Sequence, residues 1–427
     1  MMMLIWVFVI AIAYGVVVHE QVATEPWLGK PDPIWATASA ALGVHLQGSV
    51  SVIKLRPLFA LGNTVACLLS VSLGLIVGEN RQDARRLLWV VACSGACYAA
   101  YGIFSALVTP NELLWLERPG YVGDVTGTFV NRNTAATYFG CVSVIWLLLL
   151  LEAVKSRLPR GSASLTRLVR HLSRRPSRLE IGMFLSLVLS LMALLMTGSR
   201  AGVVFSLIAM IAAGSITLRS ALPKTYGARW LWIGGSILAL LLFQVFGGVI
   251  QRRFETSGIS DEGRFEAYTW MLRAILDRPV FGAGLGTFET IFPSYRQEPP
   301  SMQGVWTLGH CTPLEMAVEL GVPLTAIVVI SVFAGLVTLG RGAFMRRRDA
   351  VIPLAGAAVL GISAVHSCID FSLQIPGLAI VSMIVTGVGL SQSVSSRWNN
   401  RVVSTGLGAR GMTVEAPDEK LEGWPRN

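Results

Sequence analysis

Long apolar runs alternate with short polar links along the whole chain. The runs lie near Met1–Val18, Pro57–Gly78, Leu87–Leu107, Thr134–Val154, Ile181–Thr197, Ala201–Leu218, Trp230–Ile250, Pro313–Leu339, Val351–Ile369 and Leu373–Leu390. Each approaches the ~20 residues that a helix needs to cross a bilayer. The pattern predicts an all-α polytopic membrane protein with about ten transmembrane helices. Met1–Val18 has no basic leader and no small-residue cleavage site, so it reads as a retained span. Ile181–Leu218 is about twice the length of one crossing and must fold back. The turn is expected at Gly198–Gly202. Glu20–Arg56, with Pro26, Pro31 and Pro33, reads as a loop. Residues 1–392 form the expected membrane domain, with 251–312 as its large polar loop and 393–427 as a polar, disordered tail.

Composition sharpens this picture. Of 427 residues, 53% are hydrophobic and 14% charged, against about 25% charged in soluble domains. The net charge of +10 could point to nucleic acid, but the bases cluster in links rather than on one domain. Glu79–Arg86, Lys155–Arg178, Arg219–Arg229 and Gly340–Ala350 are dense in base and fall on alternate links, hence on one side. That side is expected to be the cytoplasm, with both termini there and the other large loops outside. No zinc spacing, phosphate-binding loop or RNA-binding aromatic motif stands in the sequence. Cys67, Cys93, Cys97, Cys141, Cys311 and Cys368 lie mostly inside apolar runs and read as small buried thiols.

Candidate chemistry gathers on the outer side. Arg200 stands in the Gly198–Gly202 turn, where it is either a snorkelling anchor or an anion contact. An outward arginine between glycines opposes the charge bias and favours the anion. Ser260 or Asp261 can cap a helix running from about Gly263 to Asp277. Phe265, Tyr268, Leu272, Ile275 and Leu276 share one face of it, which predicts an amphipathic helix. Arg264 lies at its start, where charge and helix dipole together suit an anion. Gly282-Ala283-Gly284-Leu285-Gly286 lacks the strand and βαβ context of a nucleotide site and reads as a tight turn. His310 shares the outer side with both arginines, and His366 is placed to pair with Asp370. Arginine forks match phosphate oxygens, and histidine can accept a proton near neutral pH.

Taken in order, several motifs resemble the O-antigen ligase and Wzy-type polymerase family of bacterial envelope glycan assembly. They are Gly127-Thr128-Phe129-Val130-Asn131-Arg132-Asn133, Thr197-Gly198-Ser199-Arg200-Ala201-Gly202, Gly263-Arg264 with Pro279-x-x-Gly282-x-Gly284-x-Gly286, and His310 with Gly321. His366-Ser367-Cys368-Ile369-Asp370-Phe371 is similar to a segment of the exopolysaccharide-linked branch. The resemblance implies a GT-C-like, metal-independent, inverting glycosyltransferase without a cofactor. Its donor would be an undecaprenyl-diphosphate-linked glycan, and its acceptor a glycan or lipid A core. Arg200 and Arg264 would hold the diphosphate and His310 would act as base. Asn131, Asn133, Tyr268, His366 and Asp370 would line the substrate. The implied setting is the bacterial inner membrane, with a polysaccharide chain-length regulator as a further partner and no nucleic acid. Cys311 departs from the Asn, Ser or Gln usual after the histidine, and Tyr268 stands where many relatives carry Trp. A transporter or flippase of an anionic substrate is the competing class, and a structural scaffold of an export machine is a third. A transporter should place ionisable groups at mid-membrane.

Overall fold

The computed structural model describes residues 2–118, 120–157, 175–219, 233, 235, 262–297, 306–346 and 349–406, of which 262–264 and 395–406 are described by backbone alone. The helices are α1 (Met2–Val22), α2 (Ile34–Leu42), α3 (Arg56–Ala60), α4 (Gly62–Val77), α5 (Arg81–Val108), α6 (Arg132–Ser156) and α7 (Arg178–Met196). Then follow α8 (Arg200–Leu218), α9 (Glu262–Asp277), α10 (Phe288–Ile291), α11 (Thr312–Leu320), α12 (Val322–Met345), α13 (Val351–Ser367) and α14 (Pro376–Gly406). One two-stranded hairpin, β1 (Glu112–Leu113) and β2 (Leu116–Glu117), follows α5. Among the described residues, eight segments are long and apolar enough to cross a membrane, and α13 is a shorter apolar helix. The chain is thus an all-α polytopic membrane protein.

Polar side chains fix where the spans begin. Asn131 accepts hydrogen bonds from Asn133 N and Thr134 N and so caps α6. Ser177 and Glu180 form a reciprocal capping box on α7, and Ser199 caps α8. Each satisfies amides that a helix start leaves unpaired. Helix α6 is the centre of the bundle, buried from Thr134 almost continuously to Leu149. Small residues let its neighbours approach. A Cβ on Gly140 would lie 1.8 Å from Ser206 Oγ of α8. On the far side, Gly74 of α4 and Gly387 of α14 meet backbone to backbone, each leaving no room for a Cβ. Close approach of this kind is how membrane helices gain packing energy without a hydrophobic drive.

The fold-back predicted at Gly198 is present. The N-terminal part of α8 abuts that of α6 through Gly202 and Ala136, while Lys155 Nζ donates to Thr217 O near the C-terminal ends of both. Helix α7 runs the opposite way, with Glu180 at its start paired to Arg157 beyond the end of α6 and Met196 O accepting from Val125 N.

The two ends of the bundle differ in chemistry. At one end the described residues of the four basic links meet. Arg81 and Arg85 pair with buried Asp349, Arg85 pairs with Glu152 at 2.7 Å, and Arg219 donates to Phe344 O at 2.9 Å. At the other end gather the loops that carry the candidate chemistry, with Arg56 bonded to Gly286 O and Asn133 to Asp370.

Several expectations change, and one is untested. The run Pro313–Leu339 is two elements, because Gly321 (φ 81°, ψ 166°) breaks it into α11 and the span α12. The run Trp230–Ile250 lies outside the described residues. Helix α14 continues to Gly406, past the tail boundary expected at Ser393. The buried face of α9 is Ala267, Trp270, Met271, Ala274 and Ile275, while Phe265, Leu272 and Leu276 are exposed. Two small alanines let α9 lie close against the cap core, where Trp270 and Met271 fill the space. All six cysteines are free thiols, but only Cys141 and Cys311 are buried and Cys93, Cys97 and Cys368 are exposed.

Candidate active site

His310 closes the loop before α11. Its backbone is left-handed (φ 50°), which costs energy for a residue with a side chain and persists only where the surroundings impose it. The Tyr268 hydroxyl donates to His310 O at 3.1 Å, and the preceding Gly309 N–H donates to Glu315 Oε2 at 2.6 Å. The imidazole packs against Trp306 and Phe371, with each ring centroid 5.0 Å away. Its side chain keeps 28% exposure, enough for a substrate to reach it.

His310 Nδ1 stands 3.6 Å from Asp370 Oδ1 and is otherwise buried without a partner. Closing by about 0.5 Å would make a full hydrogen bond, a tightening common when substrate binds. Asp370 is 1% exposed. Asn133 Nδ2 donates to its Oδ1 at 3.1 Å, and the Ser372 hydroxyl donates to its Oδ2 at 2.5 Å. Burial alone would raise this carboxyl, but the His310 imidazole, the Ser372 hydroxyl, His366 and Asn133 outweigh burial and hold it below the ordinary carboxylate range. Asp370 is therefore an anion at neutral pH. His366 is buried, with Nδ1 against the Thr137 hydroxyl and 3.5 Å from Ser372 Oγ. Ser372 thus links His366 to Asp370.

Arg200 is the first residue of α8 and half-buried. It follows the Gly198 turn, whose glycine is left-handed (φ 65°). The first turn of α6 joins this turn to the histidine. A Cβ on Gly198 would lie 3.8 Å from Arg132 Nη1 and 3.7 Å from Asp124 Oδ1. Arg132 and Asp124 are themselves paired at 3.3 Å, and the Arg132 guanidinium stands over the Tyr121 ring. One residue on, Asn133 holds Asp370. The backbone of Arg264 lies in the first turn of α9, and its side chain is outside the described residues. Tyr268, four residues later and so about 6 Å along the helix, touches the histidine loop. The caps expected at Ser260 or Asp261 also lie outside the described residues.

Arg200, Asn131, Asn133, Tyr268, His310, His366 and Asp370 therefore share one end of the bundle. Asn131 there serves α6 as its cap. The glycine string is a tight turn, with Gly282, Gly284 and Gly286 all at positive φ. Sequence pattern does not single out Arg132, Asp124, Glu315 or Glu319. The two glutamates leave one signal, two acids four residues apart in an apolar run where an unpaired charge is costly.

Residues 185–329, about a third of the chain, match the family model described as O-Antigen ligase. That stretch is similar to the O-antigen ligase/Wzy-type family. It includes Arg200, Arg264 and His310 and stops short of Asp370. Comparison with curated proteins gives no match. The match supports glycan transfer of the ligase or polymerase kind, on a lipid-linked glycan and an acceptor in a membrane.

Cys311 occupies the N-cap of α11, and its side chain makes no capping bond. A hydroxyl there could accept an amide of the first turn. Cys311→Ser is expected to stabilise α11 by about 1 kcal/mol, read as a raised melting temperature in detergent.

Proposed function

We propose that the protein transfers a glycan from undecaprenyl diphosphate to an acceptor sugar hydroxyl at the periplasmic face of the bacterial inner membrane. The product we favour is a polymerised O-antigen or exopolysaccharide repeat. The observation that carries this reading is the pairing of accessible His310 with buried, anionic Asp370, beside the helix start that bears Arg200. The gathering of the described ends of the four basic links at the opposite end supports a periplasmic site and cytoplasmic termini.

Asp370 orients His310 through Nδ1 and leaves Nε2 to face the acceptor. Nε2 takes the proton of the acceptor hydroxyl as its oxygen bonds to the anomeric carbon. The bond from that carbon to the phosphate oxygen breaks, and the diphosphate leaves with the electron pair. Attack opposite the leaving group inverts the anomeric centre. Arg200 and Arg264 both sit in first turns of helices, where amide dipoles and guanidinium charge act together on an anion. They stabilise the leaving diphosphate as its charge grows, so the proposed step is metal-independent and needs no cofactor. The His366–Phe371 segment, which supplies Asp370, favours polymerisation. Ligation to lipid A core is the alternative product of the same chemistry.

The test is a deletion strain complemented with wild type, Arg200→Ala or Arg264→Ala at matched membrane expression. Each variant is expected to lower transfer by about 100-fold and to accumulate lipid-linked donor. Accumulated single repeats with no polymer identify a polymerase. Accumulated lipid-linked polymer without lipid A core attachment identifies a ligase. Normal glycan in both variants overturns the reading.

A further inference from the structure

Helix α11 carries two buried carboxylates, Glu315 at 4% and Glu319 at 7% exposure, on the same face four residues apart. Each holds a neighbouring loop rather than a basic side chain. Glu319 Oε1 accepts from Phe288 N at 2.9 Å, which seats α10 and the glycine turn before it. Glu315 makes the more consequential contact. A single oxygen, Oε2, accepts from Gly309 N at 2.6 Å and from Gln374 Nε2 at 2.9 Å. Gly309 belongs to the loop that carries His310. Gln374 belongs to the turn that follows Asp370 and Ser372. One buried atom therefore ties together the two loops that supply the histidine and its carboxylate. A second tie runs from the Thr312 hydroxyl to Asp370 O at 3.2 Å.

We infer that Glu315 is a positioning residue that sets the His310–Asp370 separation by bracketing their two loops. The inference rests on the reading of His310 as the base. The left-handed backbone of His310 makes such a brace necessary, since a strained residue relaxes when its surroundings loosen. Glu315 itself touches no reacting atom. Burial pushes its carboxyl upward, with the Gln374 and Gly309 bonds opposing. What the loops require is an acceptor at that point, not a charge. Glutamine can place its carbonyl oxygen where Oε2 stands and keep both bonds, whereas leucine can keep neither.

The experiment measures kcat and KM of purified, detergent-solubilised full-length protein for lipid-linked donor, in wild type, Glu315→Leu, Glu315→Gln, Gln374→Ala and His310→Ala. Glu315→Leu is expected to lower kcat by about 100-fold, the effect of a misplacement of about 1 Å, with donor KM within about threefold of wild type. Glu315→Gln restores kcat to within a few-fold, and Gln374→Ala, which removes one of the two bonds, lowers it by about tenfold. Where Glu315→Leu does not fold, Gln374→Ala and Glu315→Gln still decide. Wild-type kcat in Gln374→Ala, or a loss in Glu315→Gln as deep as in Glu315→Leu, overturns the inference. An active His310→Ala overturns the base reading instead. An inactive His310→Ala beside a wild-type Glu315→Leu overturns the positioning role alone.

Discussion

His310→Ala is expected to slow glycan transfer by about 10³-fold or more, within the 10²–10⁴ range of a general base, while lipid-linked donor still binds. Asp370, His366 and the arginines at this end of the bundle cannot take its place. Asp370 is held as an anion, yet it is buried at 1% exposure. His366 is equally buried, against Thr137 and Ser372. The arginines carry no proton acceptor. Asp370→Asn keeps the shape of the site and removes the charge that favours an imidazolium, so it is expected to cost about 10–100-fold. The Asp370 carboxylate also has a defined pH dependence. Asp370 has a lowered folded-state pKa, so its ionised form and the stability it brings are present above the unfolded value and lost only as pH falls through the folded value. That window lies below the ordinary carboxylate range. Wild-type transfer in His310→Ala, with purified protein and defined donor, would sink the mechanism.

How far sequence reaches is clear from particular residues. The reversal at Gly198 was legible because an apolar stretch twice the needed length was interrupted by Thr, Gly, Ser and Arg in succession. The matching break at Gly321 was hidden. Pro313–Leu339 is only modestly longer than a span, and a glycine inside an apolar run is a weak signal beside hydropathy. The two acids at its start, Glu315 and Glu319, were the physical warning that its first turns are not lipid-facing. His310 and Asp370 were each visible as residues of the right chemistry, but they lie sixty residues apart. Only the packing of α6, α11 and the turn after α13 makes them neighbours. The packed face of α9 is hidden for another reason. Two apolar faces compete along α9, one with Phe265, Leu272 and Leu276 and one with Trp270, Met271 and Ala274, and periodicity alone does not say which packs.

Gly321→Ala is expected to cost most of the transfer activity and much of the folded protein, although Gly321 touches no substrate. Its backbone (φ 81°, ψ 166°) lies in a region open essentially to glycine, where another residue costs about 1–3 kcal/mol. A Cβ there would also lie 2.1 Å from Val280 O and 2.4 Å from Val280 C. Those are backbone atoms, which cannot swing aside as a side chain can. The opposing turn is equally committed. A Cβ on Gly282 would lie 2.4 Å from Glu319 C, and Ala283 N, Gly284 N and Val322 N all bond across the same contact. Helix α11 is thus wedged between the glycine turn and the span α12, and an added methyl must displace one of them. Displacing α11 moves Glu315 and with it the His310 loop, so transfer should fall by about 100-fold or more in whatever protein folds. Gly340→Ala is the control. Gly340 lies inside α12 with open space around its Cα, and alanine favours a helix over glycine by about 1 kcal/mol. That variant should keep wild-type transfer and an equal or higher melting temperature. Equal transfer by Gly321→Ala and Gly340→Ala would show that the joint between α11 and α12 does not set the position of His310.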